Sequence, residues 1–295
     1  MTKNSIDVPN HAELSAGRVV LRRLLRKKFA VAGLIIFLLV CFVTIFASHM
    51  TPWDLTTITP QNARALPSAE HPLGTDAMGR DLLTIFLHGG RITLRIASMA
   101  TIIAAVTGSV LGLIMGYFGG KLDFILSPVL DVLTAVPMLI IAILIEVILG
   151  VGQGYFMYAI AIAAIPTFTR LVRASVMNIE ASRYIEAARA LGVGNFRIIF
   201  RHILPNIVSP LIVRLTTGFA EAILACTIMG FVGIRVVVGL GTMDLEWGAF
   251  VFAARAGMFR DPTAMIVSCS IIAITVISIS VFGDGLRDAL DPKDN

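Results

Sequence analysis

The chain alternates long apolar runs with short polar segments. Six runs approach 20 residues, at about 29–48, 96–117, 129–150, 155–173, 207–230 and 262–282. At ~1.5 Å rise per residue, each is long enough to cross ~30 Å of hydrocarbon as a helix. The first is the cleanest, with no charge between Phe29 and Ala47. It exceeds a signal-peptide core and follows a 28-residue tail, so it reads as a retained span.

Composition sharpens this reading. Hydrophobic residues are 57% of the 295, charged residues only 15%, and the mean hydropathy is +0.87. A soluble fold needs a charged skin that this chain lacks. A soluble enzyme, a disordered chain and a disulfide scaffold are thereby excluded, and the fold class expected is an all-α integral membrane protein of six transmembrane helices. Cys41, Cys226 and Cys269 each sit inside an apolar run and read as small core residues.

The net charge of +5 needs no nucleic acid, because Lys and Arg gather on cytoplasmic loops of membrane proteins. With the N-terminus inside, the inner segments hold 16 of the 24 basic residues and the outer segments seven. Both termini are therefore expected in the cytoplasm. The resulting organisation is a cytoplasmic tail (1–28), a first span (29–48), an extracytoplasmic segment (49–91), a transmembrane core (92–284) and a cytoplasmic tail (285–295).

Within the spans, Gly108, Gly112 and Gly116 line one helix face and invite close approach of another backbone. Pro128, Pro137, Pro166 and Pro210 are expected to kink helices around an interior. Asp131, Glu146, Arg214 and Glu221 are ionisable groups at membrane depth and should face protein or water. Arg214 and Glu221, two turns apart on one face, and Glu146 are candidates for pore-lining charges or an intramembrane ion pair.

The inner loop at about 178–206 reads as two short helices and a turn. Tyr184, Ala187, Ala188 and Leu191 form an apolar stripe at helical spacing. Gly192 suits the position just after a helix end, Asn195 can cap the next helix, and Pro205 marks the start of span five. Phe196, Ile199 and Phe200 share a side, with Arg197 and Arg201 between them. Such a pattern suits a lipid surface, the underside of its own bundle, or a partner's groove.

Glu186-Ala187-Ala188, three residues, Gly192, then Leu204-Pro205 resembles the EAA loop of binding-protein-dependent ABC importers. The string Arg201-His202-Ile203-Leu204-Pro205-Asn206 is similar to the dipeptide/oligopeptide/nickel permease branch. His71-Pro-Leu-Gly74-Thr75-Asp76-Ala-Met-Gly79-Arg80-Asp81 and Gly283-Asp-Gly-Leu-Arg-Asp-Ala-Leu-Asp-Pro292 resemble two further strings of that branch. The resemblance implies a type-1 ABC importer transmembrane domain that forms half of a translocation pore. It implies as partners a second, homologous permease, two cytoplasmic ABC ATPase subunits and an extracytoplasmic substrate-binding protein. Glu186, Ala187, Ala188, Gly192, Leu204 and Pro205 would form the ATPase-coupling loop. Di- or oligopeptides are the substrates implied, with nickel, glutathione or opines as alternatives. The loop at 231–248 keeps Trp247-Gly248 but lacks the prolines usual in that branch.

No catalytic role, cofactor or metal is expected of this chain. It has no G-x4-G-K-[ST], so ATP would be used by the partner ATPases. The five histidines are scattered, and no H-E-x-x-H or G-x-S-x-G occurs. The competing reading is a proton-coupled carrier with Glu146 or Glu221 as relay, but the internal repeats usual in carriers are missing.

Overall fold

A computed structural model describes residues 16–53, 58–149, 153–234 and 246–290. Short amphipathic α1 (Ala16–Arg26) leads into α2 (Lys28–Ile45), and α3 (Ala47–Met50) is a single turn after it. A 3-10 turn at Pro60–Asn62 precedes α4 (Leu82–Phe118), which is followed by α5 (Gly120–Ala135), α6 (Met138–Leu149) and α7 (Gln153–Glu180). Next come α8 (Arg183–Ala190), α9 (Asn195–Ile198), a π-helical stretch at Ile199–Ile203 and α10 (Leu204–Val232). The chain closes with α11 (Trp247–Ala254), a 3-10 turn at Arg255–Gly257 and α12 (Thr263–Leu290).

Among the described residues, five helical segments are each long and apolar enough to cross a membrane: α2, α4, most of α7, Asn195–Val232 and α12. The third span, expected at 129–150 with a kink at Pro137, is a sharply bent helix pair, which makes a sixth crossing if the pair is one span. Here α5 and the first part of α6 meet at 95°. The cause is local: Val136 precedes Pro137, and the proline ring pushes it out of the helical region, to φ −83° and ψ 124°. Pro128, Pro166 and Pro210 stay inside their helices.

The tightest packing joins α4 to α7, and the glycine face explains it. A Cβ on Gly112 would lie 2.5 Å from the Thr169 carbonyl oxygen, and one on Gly108 2.6 Å from the Phe168 Cβ. Backbones this close exclude any side chain at those positions. A large core of Leu82, Phe86, Phe156, Ile223, Trp247 and Phe250, among others, joins α4, α7, α10 and α11. A second, smaller core lies beneath the α7–α10 connection. The cysteine expectation is corrected in part: Cys226 is buried, Cys41 is half-buried and Cys269 is exposed.

Candidate functional sites at the two ends of the bundle

The connection from α7 to α10 is a compact platform. Ile185, Ile198 and Ile203 are fully buried, and they pack with Ile199 onto Val172, Val176 and Tyr117. The phenol of Tyr117 donates to Asn195 Oδ1 at 2.8 Å. Arg189 pairs with Glu180 at 2.7 Å and lies 5.5 Å from the centre of the Tyr117 ring. These contacts tie the connection to the ends of both α4 and α7. Asn195 therefore acts through Tyr117 and not as a cap; the residue at the cap of α9 is Gly194.

Gly192 has φ +77°, and its turn is closed by backbone bonds from Gly192 N to Arg189 O and from Val193 N to Ala188 O. Glycine adopts that conformation without strain, and among other residues Asn tolerates it best. No neighbouring atom lies within 4 Å of where its Cβ would be, so the requirement is conformational and the space above it is open. Glu186, Ala187 and Pro205 are exposed, while Ala188 and Leu204 are half-buried.

Of the three placements open to the apolar residues of this connection, the underside of the bundle is not the one taken by Tyr184 and Leu191, which turn outward. Leu191 is 84% exposed and Phe196 75%, and Tyr184 and Phe200 are exposed as well. Ile199, expected beside Phe196 and Phe200, points into the core instead. The two phenylalanines meet outside it, ring centres 4.3 Å apart. Pro205 lies in the first turn of α10, where the start of span five was expected, but the helix does not start afresh there. The proline lies just after a π-helical turn that carries Asn195–Val232 through as one helical segment. A widened turn accommodates the proline, which has no N–H to give and crowds the preceding carbonyl.

At the far end of α4, the string from His71 to Asp81 folds into a locked turn. Asp76 accepts from the backbone N–H groups of Met78 and Arg80 at 2.8 and 2.9 Å, and from Arg80 Nε at 2.8 Å. Asp81 caps α4 through Thr84 N at 2.7 Å and meets His71 Nδ1 at 3.1 Å. Gly74 and Gly79 both have positive φ and lie against the backbones of Ala65 and Thr59. Each polar letter of the motif thus has a structural task. A shallow cavity of about 140 Å³ lies between this turn and α11, walled by Arg64, Asp76, Arg80, Phe250 and Asp261 among others.

Sequence reasoning noticed Trp247-Gly248 but missed Glu246. The fully buried Glu246 carboxylate caps α11, accepting from Gly248 N at 2.6 Å and Ala249 N at 2.5 Å. Trp247 donates its indole N–H to Phe86 O at 2.9 Å, which fastens α11 to α4. Burial pushes the Glu246 carboxyl up to about 7 from its ordinary 4.5.

Mid-bundle, Arg214 and Glu221 form a two-bond ion pair at 2.8 and 2.6 Å. Arg214 is nearly buried and stacks over Phe168 at 5.3 Å, whereas Glu221 is 59% exposed. Both line a cavity of about 630 Å³ whose wall also carries Asp284 and Arg287. Asp131 pairs with Arg170 at 2.7 Å. The side chain of Glu146 and residues 235–245 lie outside the described residues. Among the described residues, no three His, Cys, Asp or Glu side chains converge as metal ligands.

Apolar helices that cross the membrane repeatedly, with a rigid platform at one end and a locked turn at the other, make this a multi-pass membrane protein of the permease type. Residues 108–293 match the family described as "Binding-protein-dependent transport system inner membrane component", and residues 15–67 match "N-terminal TM domain of oligopeptide transport permease C". The chain is 38% identical to the dipeptide transport system permease protein DppC of Alkalihalophilus pseudofirmus, over 96% of this chain and 92% of the relative. It is 36% identical to the glutathione transport system permease protein GsiD of Pectobacterium atrosepticum, over 92% and 89%. The fold is similar to that of the MetNI methionine ABC transporter in an inward-facing conformation, with a TM-score of 0.56 at 20% identity over 70% of this chain and 97% of that one. The chain belongs to the binding-protein-dependent transport system inner membrane component family, the membrane permeases of ABC importers.

Proposed function

We propose that this chain is one of two related permease subunits of an ATP-driven importer of small peptides, fed by an extracytoplasmic binding protein. The relatives' names support the substrate class: DppC is a dipeptide permease and GsiD a glutathione permease. Glutathione is itself a γ-linked tripeptide, so both readings share a small zwitterionic solute.

The observation that carries the mechanism is the α8 platform. Buried isoleucines and the Tyr117–Asn195 bond hold it rigid, while Tyr184, Leu191, Phe196 and Phe200 are presented outward. An exposed apolar face on a rigid base suits the groove of a cytoplasmic ATPase. A push on α8 passes directly into α7 and α10, because the platform is continuous with both. Glu186, Ala187, Ala188, Gly192, Leu204 and Pro205 are the coupling positions in this reading. Both termini then lie in the cytoplasm, and the His71–Asp81 turn faces the binding protein.

The cavity beside Arg214 and Glu221 offers charges of both signs at the height of the spans. A zwitterion crossing there meets weak, exchangeable partners, which favours passage over retention. ATP is hydrolysed by the partner subunits.

Gly192→Asn tests the coupling role. Asn tolerates positive φ, so the turn survives, but its side chain fills the open space where the ATPase would sit. The four-part complex should still assemble, with ATP-driven uptake of labelled dipeptide reduced on the order of tenfold, the equivalent of ~1.4 kcal/mol. Normal uptake by this variant and by Glu186→Lys would overturn the coupling assignment.

A further inference from the structure

We propose that α1 binds the anionic phospholipid headgroups of the leaflet at which α2 enters the membrane. The segment 16–30 holds six cations, Arg18, Arg22, Arg23, Arg26, Lys27 and Lys28, and no acid. Lys27, with extended backbone at φ −88° and ψ 90°, interrupts the helix between α1 and the apolar α2. The basic helix is therefore held beside the membrane entry point as a separate element.

Three faces of α1 have different surroundings. One face is fastened to the protein: Leu24 is buried with Ala30 and Ala289, and Val20, Phe282 and Leu286 close around them. Lys27 Nζ adds an ion pair with Asp288 at 2.5 Å. The next face carries Leu21 and Leu25, one turn apart and 55% and 62% exposed. The face beyond it carries Arg18, Arg22 and Arg26, also exposed and one turn apart. An uncovered leucine band flanked by an arginine row is the arrangement of a helix lying in the membrane interface, leucines toward the acyl chains and guanidinium groups at the phosphates.

Two observations select lipid over a protein partner. Phe29, four residues after Leu25, is 86% exposed at the start of α2, so the leucine band runs directly into the apolar surface of a membrane span. The arginine row Arg18, Arg22 and Arg26 is also exposed, while the ion pair that α1 makes with α12 runs through Lys27 and Asp288. Guanidinium groups bind phosphate in a fixed, two-bond geometry, which suits an array of phosphodiesters. Each such cation contributes about a fivefold preference for an anionic surface.

The test uses the full-length chain with Cys41 and Cys269 changed to Ser, Cys226 being buried. An environment-sensitive fluorophore on Leu25→Cys is followed in vesicles of phosphatidylcholine with and without phosphatidylglycerol. Brominated forms of each lipid serve as quenchers. The expected result is a membrane-like emission and preferential quenching by phosphatidylglycerol that weakens in high salt. Arg18→Gln/Arg22→Gln/Arg26→Gln should lower that preference by on the order of a hundredfold. These positions are exposed, and an unchanged melting midpoint in phosphatidylcholine checks that the triple variant is folded. A probe in contact with water in both lipids would overturn the proposal, as would an unchanged lipid preference in the triple variant. Protection that appears only when the ATPase or second permease is added would assign the face to a protein instead.

Discussion

Glu246 shows what one residue can hold together and what a sequence conceals. Its carboxylate is buried, caps α11 and lies against Gly230 and Cys226. Glutamate is not a usual capping residue, and in the string Leu245-Glu246-Trp247 nothing marks it as buried. The folded carboxyl, raised to about 7 from 4.5 by burial, favours the protonated form. Its contribution to stability is therefore fully present below pH 4.5 and is lost as pH rises through about 7. The melting midpoint should fall between mildly acidic and mildly alkaline pH, and Glu246→Gln should flatten that slope; an unchanged slope would place the titration elsewhere. Arg214 and Glu221 are legible as a pair from their seven-residue spacing, but not as a half-exposed one. Since Glu221 is 59% exposed, removing either partner costs less than the ~3–5 kcal/mol of a fully buried pair. A double-mutant cycle with Arg214→Met and Glu221→Gln should give a coupling of about 1 kcal/mol, and strictly additive effects would count against the ion pair.

At the scale of elements, apolar periodicity locates five of the helical crossings but not their ends. The second apolar run covers 96–117, whereas α4 begins at Leu82. Arg91 and Arg95 interrupt the apolar pattern yet sit on an exposed face of the same helix, so charge breaks the pattern without breaking the structure. The 95° bend at Pro137 and the π turn before Pro205 are hidden from the sequence for a related reason: a proline signals a perturbed backbone but not which perturbation follows. The small-residue face is legible and its partner is not. Gly112 meets the Thr169 carbonyl, Gly108 meets Phe168 and Gly116 meets Val176, so α4 and α7 are in close contact along this face. Gly112→Leu should force them apart, lowering the melting midpoint and the yield of folded protein. The cost should reach at least the ~1–3 kcal/mol of an overpacked core. No rotamer change relieves the clash, because its first partner is the Thr169 backbone. Ser98→Ala, on the same helix and half-buried, serves as the control that should leave stability nearly unchanged. Equal melting midpoints for the two variants would contradict the close α4–α7 contact.

For the whole molecule, α4 supplies the ruler. Its 37 residues span ~55 Å at 1.5 Å per residue. Asp81 of the locked turn caps one end, and Tyr117, which holds the α7–α10 platform through Asn195, lies at the other. The two motif strings that first suggest an importer are therefore separated by more than the ~30 Å hydrocarbon thickness, a separation that suits opposite sides of the membrane. The 16-to-7 division of basic residues favours the platform inside, where ATP is available, and the locked turn outside, where a binding protein would deliver solute. The variants Glu70→Cys and Ala190→Cys, at exposed positions, decide this in a chain with Cys41 and Cys269 changed to Ser. A membrane-impermeant maleimide applied to intact cells should label residue 70 and spare residue 190, and permeabilised cells should show both. The reverse pattern would place the platform outside, away from any ATPase, and would end the coupling mechanism together with the import direction.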